Sequence, residues 1–263
     1  MLNYIEQISP ISELGALVKM HLDETGYVII KNFDKDITDL DALKVRFREL
    51  CDAIGDPVAH DSLNSIIWDI KSNANSKSFI KTYSEHSHEA ELHTDSQYSF
   101  YPEDYFGLLT LKKANCGGGV SYLLSLPDIL NELRSDPSVE KYEKLLREED
   151  YPFVVPNVFK KNESEEREYN WGPILRENEI RFRVDTFEKA IAENPDFCTA
   201  EQIEAYQVLK KIILESANIK RFYLEDRDLI FINNKTMLHG RNSFQDPERH
   251  LLRIRLNKKG VNL

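Results

Sequence analysis

Short apolar runs, separated by turns rich in Gly, Pro and Asn, recur along most of the chain. Runs of this length are typical of β-strands, and their number favours an all-β double sheet over a doubly wound α/β fold. The pattern therefore predicts a mainly β protein with flanking α-helices, whose core is a jelly roll. The predicted strands are residues 27–33, 66–70, 92–98, 105–113, 120–125, 153–159, 169–175, 180–185, 229–233 and 250–256.

Three segments have the spacing of apolar residues that is expected of helices. Residues 10–24 and 39–53 are predicted to pack behind the main sheet, and Asp39 can cap the second of them. A more polar segment over residues 200–216 is predicted to cover one face of the sheets. The charged stretch Lys160–Glu168 lacks this spacing and is predicted to be a loop.

The strand predicted near the C-terminus has one largely cationic face and one apolar face. The cationic face carries Arg249, Leu251, Arg253 and Arg255, and the apolar face carries His250, Leu252, Ile254 and Leu256. If the apolar face packs against helices, the arginines point into the interior, where an unpaired guanidinium group is costly to bury. A dicarboxylate cosubstrate would pair with them, because a guanidinium binds a carboxylate through two parallel hydrogen bonds. An edge strand whose arginines face water is the alternative.

His93 and Asp95 are candidate ligands for one metal ion. Residues two apart on an extended strand project from the same face, so their side chains can reach the same ion. A third ligand must come from elsewhere, and His239 follows a short apolar run that delivers it at or just past a strand end. Two histidines and one carboxylate leave half of an octahedral ion open, which suits a non-haem Fe(II) that binds a cosubstrate and dioxygen.

By itself the His-x-Asp triplet is a weak motif, and a strand histidine bonded to its neighbour is the alternative. Three further motifs follow it along the chain, and the set in order is His93-Thr-Asp95, Gly117-Gly-Gly-Val-Ser121, Leu238-His239-Gly-Arg241 and Arg249-x-x-x-Arg253. Together they resemble the Fe(II)/2-oxoglutarate-dependent dioxygenases of the taurine dioxygenase and clavaminate synthase type. The resemblance covers about residues 90–256, and the set is much more specific than any one motif.

The resemblance implies a double-stranded β-helix (jelly-roll) core. The implied iron ligands are His93, Asp95 and His239. Arg249 resembles the residue that holds the distal carboxylate of 2-oxoglutarate, and Ser121 occupies the place where the family often has a threonine hydroxyl for the same carboxylate. Arg253 resembles the arginine that binds an acidic group of the substrate in several members. The spacing from the second histidine to the two arginines varies within the family, so their roles could be exchanged.

The resemblance also implies a reaction class. Dioxygen is activated at the iron, 2-oxoglutarate is decarboxylated to succinate and CO2, and the substrate is oxidised. Related halogenases have a small residue where this chain has Asp95, so halogenation is disfavoured. Hydroxylation is the expected outcome, while desaturation, cyclisation and epimerisation of a natural-product intermediate begin in the same way and stay open.

The substrate is expected to be a small molecule with a carboxylate or sulfonate that complements Arg253. Asp185 resembles the acid that amino-acid hydroxylases of the clavaminate synthase type place against a basic side chain, and Glu89 could meet an amine. Ser96 completes the set of candidate substrate-binding residues. These residues suggest a free amino acid or similar zwitterion, with a basic amino acid as a first candidate. Pairing of Asp185 with a neighbouring arginine, Arg181 or Arg183, is equally compatible with the sequence.

Two other function classes are compatible with the same residues. A non-catalytic jelly-roll binding module could retain Arg249 for a carboxylic ligand, although such a module has no need of three metal ligands. A zinc-dependent hydrolase could also use two histidines and an aspartate. Hydrolysis usually requires a nearby general base, and no helix-borne His-Glu pair accompanies His93 or His239.

Composition and charge agree with an enzyme that acts on a small molecule. The 263 residues, of which 41% are hydrophobic, can bury one large core, and a single domain over residues 1–263 is expected. A net charge of -11 disfavours nucleic acid and anionic membranes as partners. Three cysteines without metal-type spacing favour reduced thiols. Since no basic leader and no long apolar span is present, the expected location is the cytoplasm.

Other conspicuous residues are predicted to have supporting roles. His86 and His88 lie in a polar segment that is predicted to form a solvated lid or loop rather than a metal site. Trp68 and Trp171 are predicted to be walls of the core or of a pocket. Arg241 is predicted either to support the metal site or to bind an acidic neighbour.

Overall fold

The computed structural model of the chain describes residues 2–60, 64–71, 86–156 and 168–260. Its helices are α1 (Ile11–Glu24), α2 (Leu40–Ile54), α3 (Leu126–Ser135), α4 (Pro137–Glu148), α5 (Val184–Glu193) and α6 (Ala200–Glu215), with a short 3-10 helix at Pro195–Phe197. The first strands are β1 (Tyr4–Glu6), β2 (Tyr27–Lys31), β3 (Asp56–Val58), β4 (Trp68–Lys71), β5 (Ala90–His93), β6 (Tyr105–Lys112) and β7 (Ser121–Ser125). The later strands are β8 (Tyr151–Val154), β9 (Tyr169–Gly172), β10 (Lys220–Phe222), β11 (Leu229–Asn233), β12 (Met237–Arg241) and β13 (His250–Asn257).

Two facing sheets form the core of the fold. The larger, which we call the major sheet, has the strand order β1-β2-β11-β6-β13-β3, and β4 also pairs with β13. The smaller, the minor sheet, has the order β10-β7-β12-β5. Strands β8 and β9 form a separate antiparallel pair. The predicted jelly-roll core with flanking α-helices is therefore confirmed.

Apolar side chains fill three layers around the two sheets. The layer between the sheets includes Phe106 and Ile230 from the major sheet and Leu123 and Met237 from the minor sheet. Helices α1 and α2 cover the outer face of the major sheet, as predicted, and contribute Leu14, Val18, Leu43 and Phe47. Helices α3 to α6 cover the outer face of the minor sheet, where they bury Leu92, Leu124 and Leu238. No helix in the described ranges is both long and apolar enough to cross a membrane.

The two helices with the clearest start signals begin where the sequence predicts. The side chain of Asp39 accepts a hydrogen bond from the backbone N–H of Ala42 at 2.8 Å, which caps α2. Thr199 and Gln202 form a capping box at the start of α6. These bonds satisfy backbone N–H groups that have no partner inside the helix.

Several predicted elements differ from the structure. The predicted strand 92–98 ends at His93, and the residues after it form a turn. In the predicted strand 180–185, Ile180 makes only an isolated bridge with Leu175, and α5 begins at Val184. Helices α3 and α4 and the strand that contains His239 were not predicted. Residues 157–159 of the predicted strand 153–159, and most of the predicted loop 160–168, lie outside the described residues.

The apolar face of β13 is expected to contribute to the stability of the folded protein rather than to its activity. Ile254 is fully buried against α1 and α2, so Ile254→Ala removes packed methylene groups and is expected to cost about 2–5 kcal/mol of unfolding free energy in urea denaturation. Val45→Ala on the exposed side of α2 is the control and should change stability by about 0.5 kcal/mol or less. Equal effects of the two substitutions would contradict this description of the core.

Candidate active site

Two histidines face each other on adjacent strands of the minor sheet. His93 ends β5 and His239 lies in the middle of β12, where the two residues are direct partners in the antiparallel register. Alternation along these strands points Leu92 and Leu238 outward to the helices, so both imidazoles point inward, toward the major sheet. The ring centres are 4.3 Å apart. His239 was predicted to lie at or just past a strand end, and the structure instead places it inside a strand.

Asp95 reaches the same point from a turn rather than from a strand. The chain leaves β5 after His93, and the backbone N–H of Thr94 bonds the carbonyl of Phe182 at 2.9 Å. Asn234 then fixes the aspartate by accepting from the N–H of Asp95 at 2.7 Å and donating to its carbonyl at 3.1 Å. Ser96 adopts a left-handed φ of 55°, which turns the chain away. The prediction that strand alternation aligns His93 with Asp95 is therefore wrong, although the two side chains do converge.

The three side chains present their ligand atoms to one point. Asp95 Oδ1 lies 3.6 Å from His93 Nε2 and 4.0 Å from His239 Nε2. The three candidate ligand atoms all lie within 4.8 Å of one another, and this is the one such group of His, Cys, Asp and Glu residues in the part of the chain that the structure describes. His93 Nδ1 is 2.7 Å from the carbonyl oxygen of Glu91, so a proton on Nδ1 is bonded there and Nε2 keeps its lone pair for a metal.

The second oxygen of Asp95 is held by Arg253. Nη1 of Arg253 donates to Asp95 Oδ2 at 3.0 Å. Burial alone would raise the pKa of Asp95, but Arg253, His93 and Arg255 outweigh it and hold that pKa well below its usual range. Burial, aided by His93, keeps the pKa of His239 well below its usual range. An ionised carboxylate and a neutral imidazole are the protonation states that bind a metal.

The cationic face of β13 points into the space between the sheets, as predicted. Arg249, Arg253 and Arg255 are directed there, and Leu252 and Ile254 pack against the helices. Arg255 forms an ion pair with Glu103, with 2.9 Å between Nε and Oε1. Arg249 is 8% exposed and has no carboxylate within ion-pair distance among the described residues. Burial lowers the pKa of Arg249 to about 9, which leaves it charged at neutral pH.

A cavity of about 200 Å³ surrounds the three candidate ligands. Five of the residues predicted to bind cosubstrate or substrate line it, and these are Ser96, Ser121, Asp185, Arg249 and Arg253. Glu89 is exposed and does not line the cavity, so the structure does not bring this predicted substrate residue to the site.

Asp185 is bound by a neighbouring arginine. Arg183 Nε donates to Asp185 Oδ1 at 2.7 Å and Nη2 donates to Oδ2 at 3.0 Å, and both residues line the cavity. Burial raises the pKa of Asp185, but the bonds from Arg183 outweigh this and lower it. Of the two neighbours considered for Asp185, the structure selects Arg183. Arg181 instead donates to the carbonyl of Gly172.

Arg241 holds the backbone beside the site through hydrogen bonds to two carbonyl groups. It lines the cavity and donates to the backbone carbonyls of His86 at 3.1 Å and Asn242 at 3.2 Å. His86 thus lies beside the site, and the group of three converging side chains does not include it. The prediction for Trp171 is wrong, because its side chain is 41% exposed and packs edge-on against Phe197.

Two residues of the site were not identified from the sequence. Asn234 fixes the turn at Asp95, and Glu103 neutralises Arg255. The signal for Asn234 was its place in a pair of asparagines at the end of a buried strand. Glu103 lies in a loop whose sequence gives no comparable signal.

Comparisons with known proteins agree with this arrangement. A family profile described as "Taurine catabolism dioxygenase TauD, TfdA family" matches residues 5–255. The fold resembles a solved asparagine oxygenase in complex with Fe(II), 3-hydroxyasparagine and succinate, with a TM-score of 0.69, 15% identity and coverage of 97% of this chain and 94% of that one. It also resembles the non-haem iron oxygenase OrfP in complex with Fe and α-ketoglutaric acid, with a TM-score of 0.69, 16% identity and coverage of 95% and 80%.

A third solved structure, PvcB from Pseudomonas aeruginosa, matches with a TM-score of 0.65, 17% identity and coverage of 96% of this chain and 84% of that one. At these identities the likenesses show the fold. A comparison with curated protein sequences finds no match. The family profile covers nearly the whole described chain and includes all three converging side chains. This chain therefore belongs to the TauD/TfdA family of Fe(II)- and 2-oxoglutarate-dependent dioxygenases.

Proposed function

We propose that this protein is an Fe(II)- and 2-oxoglutarate-dependent oxygenase that hydroxylates a free amino acid or a similar small zwitterion. The observation that carries the proposal is the convergence of His93, Asp95 and His239 at the wall of a cavity lined by arginines. The three side chains can bind a redox-active metal ion, and the buried guanidinium groups can bind carboxylates. Two of the solved structures contain hydroxylated amino acids, 3-hydroxyasparagine and (3S)-hydroxy-L-Arg, which supports this substrate class.

The donor set fits iron. His93 Nε2, His239 Nε2 and Asp95 Oδ1 would hold the ion, and two nitrogens with one carboxylate oxygen are the ligands of non-haem Fe(II) oxygenases. An iron ion held by these three residues would supply the activation of dioxygen, with 2-oxoglutarate as cosubstrate. The chain's own part is to hold Asp95 ionised through Arg253 and to keep both imidazoles in the wall of a mostly buried cavity.

Arg249 is the residue that best fits the distal carboxylate of 2-oxoglutarate. Arg253 already donates to Asp95, whereas no described carboxylate pairs with Arg249. Ser121 lines the cavity beside it, and its hydroxyl can donate to the same carboxylate. This division of labour agrees with the first of the two assignments that the sequence left open.

The substrate carboxylate is proposed to meet Arg253, whose Nε has no described partner. Ser96 and the Arg183–Asp185 pair line the same cavity and are proposed to contact the rest of the substrate. Because both oxygens of Asp185 accept from Arg183, a basic side chain must compete with that arginine for the carboxylate. The pair therefore favours amino acids without a basic side chain.

The metal assignment predicts a reaction that depends on iron. Incubation with Fe(II), ascorbate and labelled 2-oxoglutarate should yield succinate, and Asp95→Ala or His239→Ala should reduce the yield to background, because each removes one ligand. His88→Ala, outside the group, should retain activity. Binding of 2-oxoglutarate without iron and without succinate formation would instead indicate a binding module, and hydrolysis supported by zinc would indicate a hydrolase.

The arginine assignment predicts different effects for two substitutions on one strand. Arg249→Gln should raise the dissociation constant for 2-oxoglutarate by about 30-fold or more, since it leaves a buried carboxylate unpaired, and Ser121→Ala should have a smaller effect. Arg253→Gln should weaken substrate binding more than 2-oxoglutarate binding. The measurement is an anaerobic titration of the iron-loaded protein. The reverse order of effects would show that the two arginines have exchanged roles.

The Arg183–Asp185 pair predicts a change of substrate preference. Arg183→Gln frees the carboxylate of Asp185 and should strengthen binding of arginine or lysine by roughly 10-fold, which corresponds to one charge-assisted hydrogen bond. An anaerobic titration of the iron and 2-oxoglutarate complex with a panel of amino acids measures this. The double variant Arg183→Gln/Asp185→Asn is the control and should lose the gain. If the gain persists in the double variant, Asp185 does not face the substrate.

A further inference from the structure

Arg249 differs from three other arginines of the cavity in how its charge is accommodated. Arg183, Arg253 and Arg255 each have a carboxylate oxygen within 3.0 Å. The structure describes no such oxygen for Arg249. What it shows instead is the ring of Phe244, whose centre lies 4.8 Å from the guanidinium carbon of Arg249.

The same ring also contacts Arg241. The guanidinium carbon of Arg241 lies 4.6 Å from the centre of the Phe244 ring. Two like charges therefore share one aromatic neighbour in a buried place. Burial, and then the charge of Arg241, lower the pKa of Arg249. The carboxylate of Glu89 raises the pKa of Arg241 and so offsets part of its charge, whereas no described carboxylate does the same for Arg249.

The position of Phe244 is fixed by its surroundings. Its side chain is 4% exposed, and its backbone N–H donates to the carbonyl of Ser87 at 3.0 Å. A Cβ atom at Gly118 would lie 2.8 Å from Phe244 Cα, and one at Gly119 would lie 3.4 Å from Arg249 Nε. A side chain at position 118 would therefore displace the backbone at Phe244, whereas Gly119 lies in ordinary van der Waals contact with Arg249.

We propose that Phe244 is a positioning residue for the binding of 2-oxoglutarate. Phe244 acts by holding the guanidinium groups of Arg241 and Arg249 against its ring. The inference rests on the proposed role of Arg249. An aromatic face carries negative charge density and attracts a cation without accepting its hydrogen bonds in the way a carboxylate does. Phe244 therefore keeps Arg249 charged and in place while its N–H donors stay available for the cosubstrate.

A carboxylate at position 244 would serve this purpose less well. It would bind the donors of Arg249, and 2-oxoglutarate would then have to displace it. A purely aliphatic residue would fill the space but offer no negative charge density to the guanidinium group of Arg249. The aromatic ring stabilises the charge of Arg249 and competes least with the ligand.

The decisive experiment changes the charge distribution of the ring and keeps its shape nearly constant. Phe244 is replaced by 4-fluorophenylalanine and by 3,4,5-trifluorophenylalanine, and 2-oxoglutarate is titrated anaerobically into the iron-loaded protein. The dissociation constant should rise stepwise with fluorination, to roughly 3- to 30-fold in the trifluoro variant. Phe244→Tyr, which keeps the aromatic face, should remain within about twofold of the unmodified protein.

The chain contains a matched control for the same chemistry. The guanidinium carbon of Arg181 lies 4.4 Å from the centre of the Phe153 ring, and neither residue lines the cavity around the candidate metal ligands. Trifluorination of Phe153 should leave the dissociation constant for 2-oxoglutarate unchanged. Thermal unfolding of each ligand-free variant establishes that it is folded.

Two failures of this experiment have different meanings. If the unmodified protein binds 2-oxoglutarate but fluorination of Phe244 has no effect, or has the same effect as fluorination of Phe153, the positioning role is overturned and the proposed function stands. If the unmodified iron-loaded protein binds no 2-oxoglutarate, the proposed function itself fails.

Discussion

The hydrogen bond from Arg253 to Asp95 is the interaction on which the arrangement of the site depends. At 3.0 Å it joins β13 of the major sheet to the turn that follows β5 of the minor sheet. Because Arg253 takes one carboxylate oxygen, the other faces the two histidines. The same bond keeps the buried carboxylate ionised, against the effect of burial. One contact thereby fixes the orientation and the charge of a candidate metal ligand, and it also anchors an arginine in the cavity.

Five arginines and two carboxylates line the cavity, and in the proposed function this excess of positive charge selects carboxylate ligands. An unpaired buried guanidinium is costly, so each arginine needs a local partner or an anionic ligand. Glu103 forms an ion pair with Arg255, and Asp185 forms one with Arg183. Arg249, which lies against an aromatic ring, is left with capacity for an anion. In the proposed function, a dicarboxylate cosubstrate and a substrate with a carboxylate would pair with this positive charge.

The two sheets contribute different residues to the site. The minor sheet and the turn after β5 supply the candidate metal ligands, and the major sheet supplies the arginines of β13. Each sheet has its own outer layer of helices, so the residues of the cavity do not also have to bury the outer apolar faces. The alternation of side chains along strands permits this division, since one face of β13 carries Ile254 in the core while the other carries Arg253 in the site.

The sequence by itself determined the features that follow from local periodicity and from motifs. Alternation along residues 249–256 correctly predicted which face is cationic, and the motif set identified the family and the three residues that converge. Tertiary structure alone decided how they converge. Asp95 comes from a turn held by Asn234, a contact between segments far apart in the chain. The pairing of Asp185 with Arg183 and the exposure of Glu89 were likewise settled by packing. Periodicity reports the face of an element on which a residue lies, whereas the partner it meets depends on how distant elements pack, and no local pattern encodes that.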